Sequence, residues 1–284
     1  MVPMMKGLSK HTELINLVIG LTKKDRTFKS YFRDIGFDIE AIEPKWTSGG
    51  QTINPDVFLL DSNNSHLLVT DCKSGSLEEH QVTNYTAISK ADITNTNIVS
   101  KQISGVDFCF ICFDGNLEKI EKGLETHKTI LPIIVKSESK LSVKNNSFLH
   151  GGLKSMFSTE LEIPQYIPTN YFPFGMNDSE PAIVSALSPS LIRFCYEQHD
   201  FTEEELIADG NEFFRSEYMQ REAIDAFRGK VGNILTRLSN HDLVDYLKKI
   251  DGKWHFTSKG SKSLKRILED YIEKLYQNRK QKTI

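Results

Sequence analysis

The side chains best suited to chemistry in this sequence lie in residues 55–75, which read PDVFLLDSNNSHLLVTDCKSG. Two apolar runs, VFLL and HLLVT, flank a polar segment of turn-forming residues, and this pattern predicts a β-hairpin. Pairing across the turn places Asp56 opposite Thr70 or Asp71, and strand alternation places Asp71 and Lys73 on one face. We therefore expect Asp56, Asp71 and Lys73 to converge at the open end of the hairpin.

Two carboxylates and a lysine in one place have a defined chemistry. Carboxylate and carbonyl oxygens are the ligands that Mg²⁺ prefers, and bound Mg²⁺ activates water and neutralises charge on a phosphate. A nearby lysine can position or deprotonate the water, or stabilise developing negative charge. Because two carboxylates without a cation repel each other, this arrangement favours a metal-dependent centre over the polar ends of an ordinary surface hairpin.

The elements around the hairpin predict an α/β domain. Residues 12–33 have helical spacing with a break near Lys23 and Lys24, and FDIEAIEP alternates like a strand. The segment SLEEHQVTNYTAISKAD predicts a helix, which Ser76 and Glu79 begin as a capping box. The apolar strands GVDFCFICFDG and TILPIIVK then enclose the helix NLEKIEKGLETH. Continuous apolar strands alternating with helices indicate a mixed sheet flanked by helices.

A proline-rich stretch divides the chain. Four prolines fall within IPQYIPTNYFPFGMNDSEPA, and because proline lacks a backbone donor, this stretch predicts irregular structure. We place a linker at 163–185, between a first domain at 1–162 and a second at 186–284.

The second domain is predicted to be mostly helical. REAIDAFRGKVGNILTRLSNHD and SLKRILEDYIEKLYQ are amphipathic helices, and Asp251-Gly252 between YLKKI and KWHFT predicts a hairpin. From Arg215 onward the chain has 16 lysines and arginines against 9 acidic residues, although the whole chain carries −3. This balance suggests an anionic partner for the basic region, and improved solubility would explain it equally well.

The hairpin resembles the core of the PD-(D/E)XK nucleases, a family of restriction enzymes, resolvases and recombination exonucleases. Pro55-Asp56 followed by Asp71-Cys72-Lys73 matches its motif, with aspartate at 71 where glutamate is commoner. The resemblance implies a restriction-endonuclease-like fold, with Asp56 and Asp71 as Mg²⁺ ligands and the Cys72 carbonyl as a third. It implies Lys73 as the catalytic lysine.

The same resemblance extends beyond the hairpin. Gln81 and Tyr85 in QVTNY match the QxxxY of one branch of the family and would support substrate or Lys73. The family often adds a glutamate from its first helix as a metal ligand. Glu13 is our candidate, with Glu40 and Glu43 as alternatives.

The segment LTRLSNHDLVDYLKKIDGKWHFTSKG resembles the helix and wing of a winged helix-turn-helix domain, which uses a recognition helix and a wing to bind duplex DNA. Winged helices also serve as protein–protein modules. The resemblance implies groove-reading residues on the helix and backbone contacts from the wing; these are Arg221, Arg228, Lys230, Arg237, Lys248, Lys249 and Lys253.

Together these features predict a Mg²⁺-dependent DNA endonuclease, with Mn²⁺ as an alternative ion. Its partner would be double-stranded DNA, and because one active site cuts one strand, double-strand cleavage implies a homodimer or a partner subunit. Restriction, phage defence and transposon excision are compatible contexts. The alternative is a catalytically inactive DNA-binding or assembly subunit with a degenerate nuclease fold. A cytoplasmic protein without a membrane segment is expected, since the chain has four cysteines and no long apolar run.

Overall fold

The chain forms two compact units in a computed structural model that describes residues 8–24, 29–48, 51–77, 82–85, 99, 102–168, 170–257 and 261–282. The first unit contains Glu13–Tyr171 and Ser216–Ala223. The second contains Met1–Thr12, Phe172–Arg215 and Ile224–Ile284. The predicted hairpin lies in the first unit.

The first unit is built on a mixed sheet. The strands of this unit are β1 (Phe37–Ile42), β2 (Trp46–Ser48), β3 (Gln51–Ile53), β4 (Val57–Asp61), β5 (His66–Lys73), β6 (Gly105–Phe113), β7 (Ile133–Ser137), β8 (Lys140–Lys144) and β9 (Leu161–Glu162). Among the described residues, seven of them form one sheet in the order β1-β4-β5-β6-β7-β8-β9, while β2 and β3 pair separately. The pairs β5–β6 and β6–β7 are parallel, and the other pairs are antiparallel. The predicted mixed α/β organisation is therefore present.

Helices accompany the sheet. They are α1 (Lys10–Thr22), α2 (Tyr31–Asp34), α3 (Leu117–Thr126) and α4 (Gly151–Met156), together with a helical turn at 82–85. The end of α1 at Thr22 agrees with the break predicted near Lys23. Of the helix predicted after the hairpin, only that turn belongs to the described residues, and Glu79 of the predicted capping box lies outside them.

The hairpin has the predicted register. Leu60 faces Leu67 and Asp61 faces His66, with a turn at 62–65 between β4 and β5. Alternate residues of both strands enter one core cluster, which includes Phe58 and Val69. Both strands are buried on both faces, so the length of the turn fixes the register.

The CxxC pair in β6 packs within the sheet. Cys109 and Cys112 are both buried free thiols, and residues three apart on a strand point to opposite faces. Cys112 belongs to the core cluster with Phe110 and Val135.

The second unit is mostly helical, as predicted. It contains α5 (Glu180–Glu197), α6 (Glu203–Gly210), all but the first three residues of α7 (Arg221–Asn240), β10 (Leu247–Ile250), β11 (Lys253–Phe256) and α8 (Ser261–Lys282). Phe201 forms a single antiparallel bridge with Trp254. The hairpin β10–β11 turns at Asp251 and Gly252, whose φ angles of 49° and 83° are the positive values that a type I′ turn requires.

The predicted irregular segment at 163–185 ends earlier than expected. Helix α5 begins at Glu180, inside that segment. Pro181 permits this because a helix's first turn leaves its amide hydrogens unpaired, so a residue without one fits there. Tyr171, Phe172 and Phe174 of the same segment are buried.

Candidate active site

The structure brings Asp56, Asp71 and Lys73 together in one buried cluster. Nζ of Lys73 lies 2.8 Å from Oδ1 of Asp71, and the amide of Cys72 donates to Oδ2 of Asp56 at 2.5 Å. The exposed fractions of Asp56, Asp71 and Lys73 are 6%, 4% and 9%. The convergence expected from hairpin geometry is therefore present.

The strand ends hold Asp56 from both sides. Its amide donates to the carbonyl of Thr70 on β5 at 3.0 Å, and its carbonyl accepts from the amide of Glu43, just after β1, at 2.7 Å. Because β4 lies between β1 and β5, Asp56 is held between the ends of these two neighbouring strands.

Asp71 is electrostatically unusual. Burial, and then the charge of Asp56, raise its pKa to about 7, although Lys73 acts to lower it. Its second carboxylate oxygen, Oδ2, is buried and has no hydrogen-bond partner within the described part of the chain. A buried acceptor left unsatisfied costs roughly 1–3 kcal/mol, so this oxygen is a site where a ligand would be stabilising.

Aromatic side chains surround the lysine and the acid. Tyr85 is buried, and its hydroxyl acts as a hydrogen-bond donor that lowers the pKa of Asp71. Burial and the charge of Asp71 raise the pKa of Tyr85 itself. The Tyr85 ring lies edge-on to Phe110, with centroids 5.8 Å apart, and Nζ of Lys73 lies 5.9 Å from the Phe110 centroid. Tyr85 thus belongs to the cluster, whereas its predicted companion Gln81 lies outside the described residues.

Cys72 contributes to the site through its backbone, not through its thiol. Burial, and then the charges of Asp56 and Asp71, raise the pKa of its thiol well above the usual value. The thiol is therefore neutral at ordinary pH, and only thiolates bind metal ions strongly. Its main-chain groups remain the relevant ones, and the amide already binds Asp56.

The donor set suits a hard cation. Two carboxylates and the Cys72 carbonyl are oxygen ligands, and the unpartnered Oδ2 of Asp71 is an acceptor that a cation would satisfy. In the described part of the chain, no three His, Cys, Asp or Glu side chains form a metal-binding group. Glu13 lies in the first turn of α1 and does not complete such a group. This set fits Mg²⁺ or Mn²⁺, which keep several waters, better than a closed zinc site.

The basic residues predicted to contact DNA fall into two sets. Lys230 donates to the carbonyls of Met176 and Asp178, and Arg237 contacts Glu180 at 2.6 Å. The side chains of Lys230 and Arg237 therefore make internal contacts that stabilise the second unit.

Other members of that group are paired less deeply or lie at the surface. Arg228 contacts Asp225 at 3.0 Å, and Lys249 contacts Glu203 at 2.7 Å. The remaining members, Arg221, Lys248 and Lys253, are exposed.

A second buried polar cluster was not predicted. His66 Nε2 lies 2.9 Å from Asp107 Oδ2, and His150 Nε2 lies 3.1 Å from Asp61 Oδ2. The two imidazole rings are 5.0 Å apart. These four residues lie at the turn end of the hairpin, opposite the acid–lysine cluster, and no local spacing in the sequence signals their association.

Hydrogen bonds within the chain stabilise the charged form of Asp107 in this second cluster. Burial raises the pKa of Asp107, but hydrogen bonds from His66 and from the amides of Leu149 and His150 outweigh it and lower the pKa. His150 also accepts from the amide of Leu153 through Nδ1, which caps helix α4. Because its polar groups are engaged within the chain, this cluster is a structural support.

The first unit is thus a mixed α/β domain with a buried acid–lysine cluster at one edge of its sheet. Residues 10–172 match the model of the MJECL32 domain, and the chain belongs to this family. Residues 176–284 match a domain of unknown function, DUF8601.

One relative is the uncharacterized protein MJECL32 of Methanocaldococcus jannaschii. It is 23% identical over 184 residues, which cover 56% of this chain and 40% of the relative. The match therefore spans less than half the length of that relative. No solved structure matches the chain. Among the described residues, none of the helices has the length and apolar character needed to cross a membrane.

Proposed function

We propose that the protein is a divalent-cation-dependent deoxyribonuclease of the PD-(D/E)XK type. One observation carries the proposal: Asp56, Asp71 and Lys73 meet in a buried cluster where Oδ2 of Asp71 has no partner among the described residues. Perturbed, buried carboxylates are typical of functional sites.

The residues of the cluster have distinct roles in this proposal. Asp56 and Asp71 hold Mg²⁺ or Mn²⁺ together with the carbonyl of Cys72. When bound, the cation lowers the pKa of water and neutralises charge on the scissile phosphate. Lys73 places its ammonium group beside Asp71, where it can transfer a proton or stabilise negative charge on a phosphate oxygen. Phe110 and Tyr85 keep the lysine and the acid in position.

We further propose that the second unit is a winged helix that holds duplex DNA. The order α5, the Phe201 bridge, α6, α7 and the hairpin β10–β11 supports this assignment. The exposed Lys248 and Lys253 on the hairpin would contact phosphates, and such contacts make affinity fall steeply with salt.

Cleavage of a plasmid in Mg²⁺, Mn²⁺ or EDTA tests the nuclease. The variants Asp71→Asn and Lys73→Met are expected to lose at least about 100-fold in rate while remaining folded, because each removes a group that acts on the reacting phosphate. Lys140→Met is the matched control, since Lys140 lies on the same unit, is half-exposed and pairs with Glu160 at the surface. Cleavage by Lys73→Met at the control rate would remove the role assigned to Lys73, and cleavage in EDTA would exclude a cation-dependent reaction.

A further inference from the structure

Asn116 contacts the chain directly after Lys73, at the point where strand β5 ends. The parallel pairing of β5 with β6 ends at Lys73, which lies opposite Cys112. One residue further along, Nδ2 of Asn116 donates to the carbonyl of Ser74 at 3.1 Å. This side-chain bond therefore holds β5 one residue beyond its last backbone pair with β6.

Asn116 makes this contact instead of capping its own helix. It stands immediately before α3, where an asparagine usually accepts a hydrogen bond from a backbone amide through its side-chain oxygen. Among the described residues, its side chain makes no such capping bond, and its amide group binds Ser74 on the neighbouring segment. A departure from a local preference of this kind is typical of functional sites.

Helix α3 approaches the same segment at a second point. A Cβ at Gly123 would lie 3.1 Å from the Cβ of Leu77, which is closer than ordinary van der Waals contact. Glycine at this position therefore lets α3 pack tightly against residues 74–77. Leu77 in turn packs against the core cluster that contains Tyr85. The segment that follows Lys73 is thus held by α3 at both of its ends.

The position of the Lys73 ammonium group depends on this support. Its Nζ lies 2.8 Å from Oδ1 of Asp71 and 5.9 Å from the centroid of the Phe110 ring. Keeping a lysine side chain in one position costs conformational entropy, and a chain end of regular structure opens more easily than its interior. A bond just beyond Lys73 opposes both effects.

We propose that Asn116 is a positioning residue for Lys73, acting through the carbonyl of Ser74. This inference rests on the proposed function, in which Lys73 acts on the reacting phosphate. Loss of one neutral hydrogen bond shifts a local equilibrium by about two- to tenfold. Without the Asn116 bond, Lys73 therefore spends more time away from Asp71.

Three variants separate this contact from the stability of α3. Serine is as favourable as asparagine at the start of a helix, but in Asn116→Ser the side chain is too short to reach the Ser74 carbonyl. Asn116→Gln keeps the amide donor. Asn146→Ser is the matched control, because Nδ2 of Asn146 donates to the carbonyl of Lys154 at 3.0 Å on the same unit. Circular dichroism verifies that each variant is folded.

Nuclear magnetic resonance of the full-length protein with ¹³C-labelled lysine, in EDTA, observes Lys73 without any reaction. The signal is assigned by its loss in Lys73→Met. In the wild type we expect the two Hε protons of Lys73 to have different chemical shifts, because Asp71 and the Phe110 ring hold the side chain in one position. Asn116→Ser is expected to bring the two shifts together, towards those of exposed lysines.

The other two variants should differ from Asn116→Ser in this spectrum. Asn146→Ser is expected to retain the wild-type signal of Lys73, and Asn116→Gln to lie closer to the wild type than Asn116→Ser does. A wild-type Lys73 signal in Asn116→Ser would overturn the inference, as would a wild type whose Lys73 resembles an exposed lysine.

Single-turnover cleavage of DNA in Mg²⁺ then relates the position of Lys73 to the rate. Asn116→Ser is expected to cleave about two- to tenfold more slowly than Asn146→Ser, with equal affinity for DNA and for Mn²⁺, because Asp56 and Asp71 remain. Weaker binding of DNA or Mn²⁺ at an unchanged rate would contradict a role through Lys73. If the wild type does not cleave DNA, the proposed nuclease fails, and the Lys73 spectrum still decides whether Asn116 positions the lysine.

Discussion

The carboxyl group of Asp71 lies in an electrostatically unfavourable environment in the folded protein. Its carboxyl is buried, next to the charge of Asp56, and only one of its oxygens contacts Lys73. The protein therefore stores unfavourable electrostatic energy at this residue, as functional sites often do.

The raised pKa of Asp71 predicts an unusual effect of pH on stability. The pKa of Asp71 is about 7 in the folded protein, against an ordinary value of 3.8. The folded protein thus holds the proton more tightly than the unfolded chain, and the free energy of unfolding falls as pH rises from about 4 to about 7. Above that range, without divalent cations, Asp71→Asn is expected to be more stable than the wild type by about 1–3 kcal/mol.

Urea denaturation in EDTA at several pH values measures this effect. Asp38→Asn, an exposed acid of β1, serves as the control and should follow the wild type. Added Mg²⁺ is expected to stabilise the wild type and leave Asp71→Asn unchanged. A wild type that gains stability between pH 5 and pH 8 in EDTA would contradict the electrostatic account of Asp71.

At the level of elements, the second polar cluster joins the β4–β5 turn to β6 and α4. Asp107 on β6 accepts hydrogen bonds from His66 and from the amides of Leu149 and His150. Glycine at position 105 is required nearby, since a Cβ there would lie 2.5 Å from Nδ1 of His66. The cluster fixes the turn end of the hairpin whose other end holds the acids.

Asp107→Ala is expected to destabilise the protein by about 2–4 kcal/mol at pH 7, because it leaves three donors, two of them buried, without their acceptor. The pKa of Asp107 is lowered in the folded protein, so its contribution is present above the ordinary pKa of aspartate and is lost as pH falls below it. Urea denaturation should therefore show a difference from wild type that shrinks on acidification. Asp38→Ala is the control, and a loss as small as that of the control would exclude a supporting role for the cluster.

The hairpin β10–β11, which is the wing in the proposed winged helix, is a separate element with its own test. Lys248→Ala and Lys253→Ala are each expected to weaken DNA binding and to reduce the slope of log affinity against log salt by about 0.9. Lys230→Ala is expected to lower stability instead, because Lys230 donates to two carbonyls of the second unit.

Fluorescence anisotropy with a labelled duplex at several salt concentrations measures these slopes. Lys140→Ala, on the first unit, is the control. Slopes for both wing variants equal to that of the control would show that the wing does not contact phosphates.

Across the residues that the structure describes, there is one acid–lysine cluster, and it lies in the first unit. The basic charge of the chain is concentrated after Arg215. One such cluster cuts one strand at a time in the proposed mechanism. Double-strand cleavage would then require a second copy of the chain or a partner subunit.

A supercoiled plasmid distinguishes these cases by the order of its products. At low protein concentration we expect nicked circles to accumulate first. Linear product should rise more steeply than in proportion to protein concentration, because two copies must act together. Linear product formed at a rate proportional to protein concentration, without a nicked intermediate, would contradict the requirement for a second copy.

Local pattern was enough to predict much of the first unit. An apolar run or a regular spacing within a single segment was enough to predict the strands β1, β4, β5, β6 and β7 and the helix α3. The short strands β8 and β9 and the helix α4 were not predicted. The strand β8 is stabilised by pairing with β7, β9 by pairing with β8, and α4 by the cap that His150 provides. The start of α5 was placed too late because proline was interpreted as irregular structure, although the first helical turn accepts it.

The sequence by itself determined that Asp56, Asp71 and Lys73 meet, because turn length and strand alternation relate residues on the two arms of one hairpin. Only the tertiary structure decided which groups surround them. Phe110 reaches Lys73 through the parallel pairing of β5 with β6. The backbone amide of Glu43 reaches the carbonyl of Asp56 just beyond the pairing of β1 with β4. Such contacts depend on which strands become neighbours, and the packing of the whole sheet determines this.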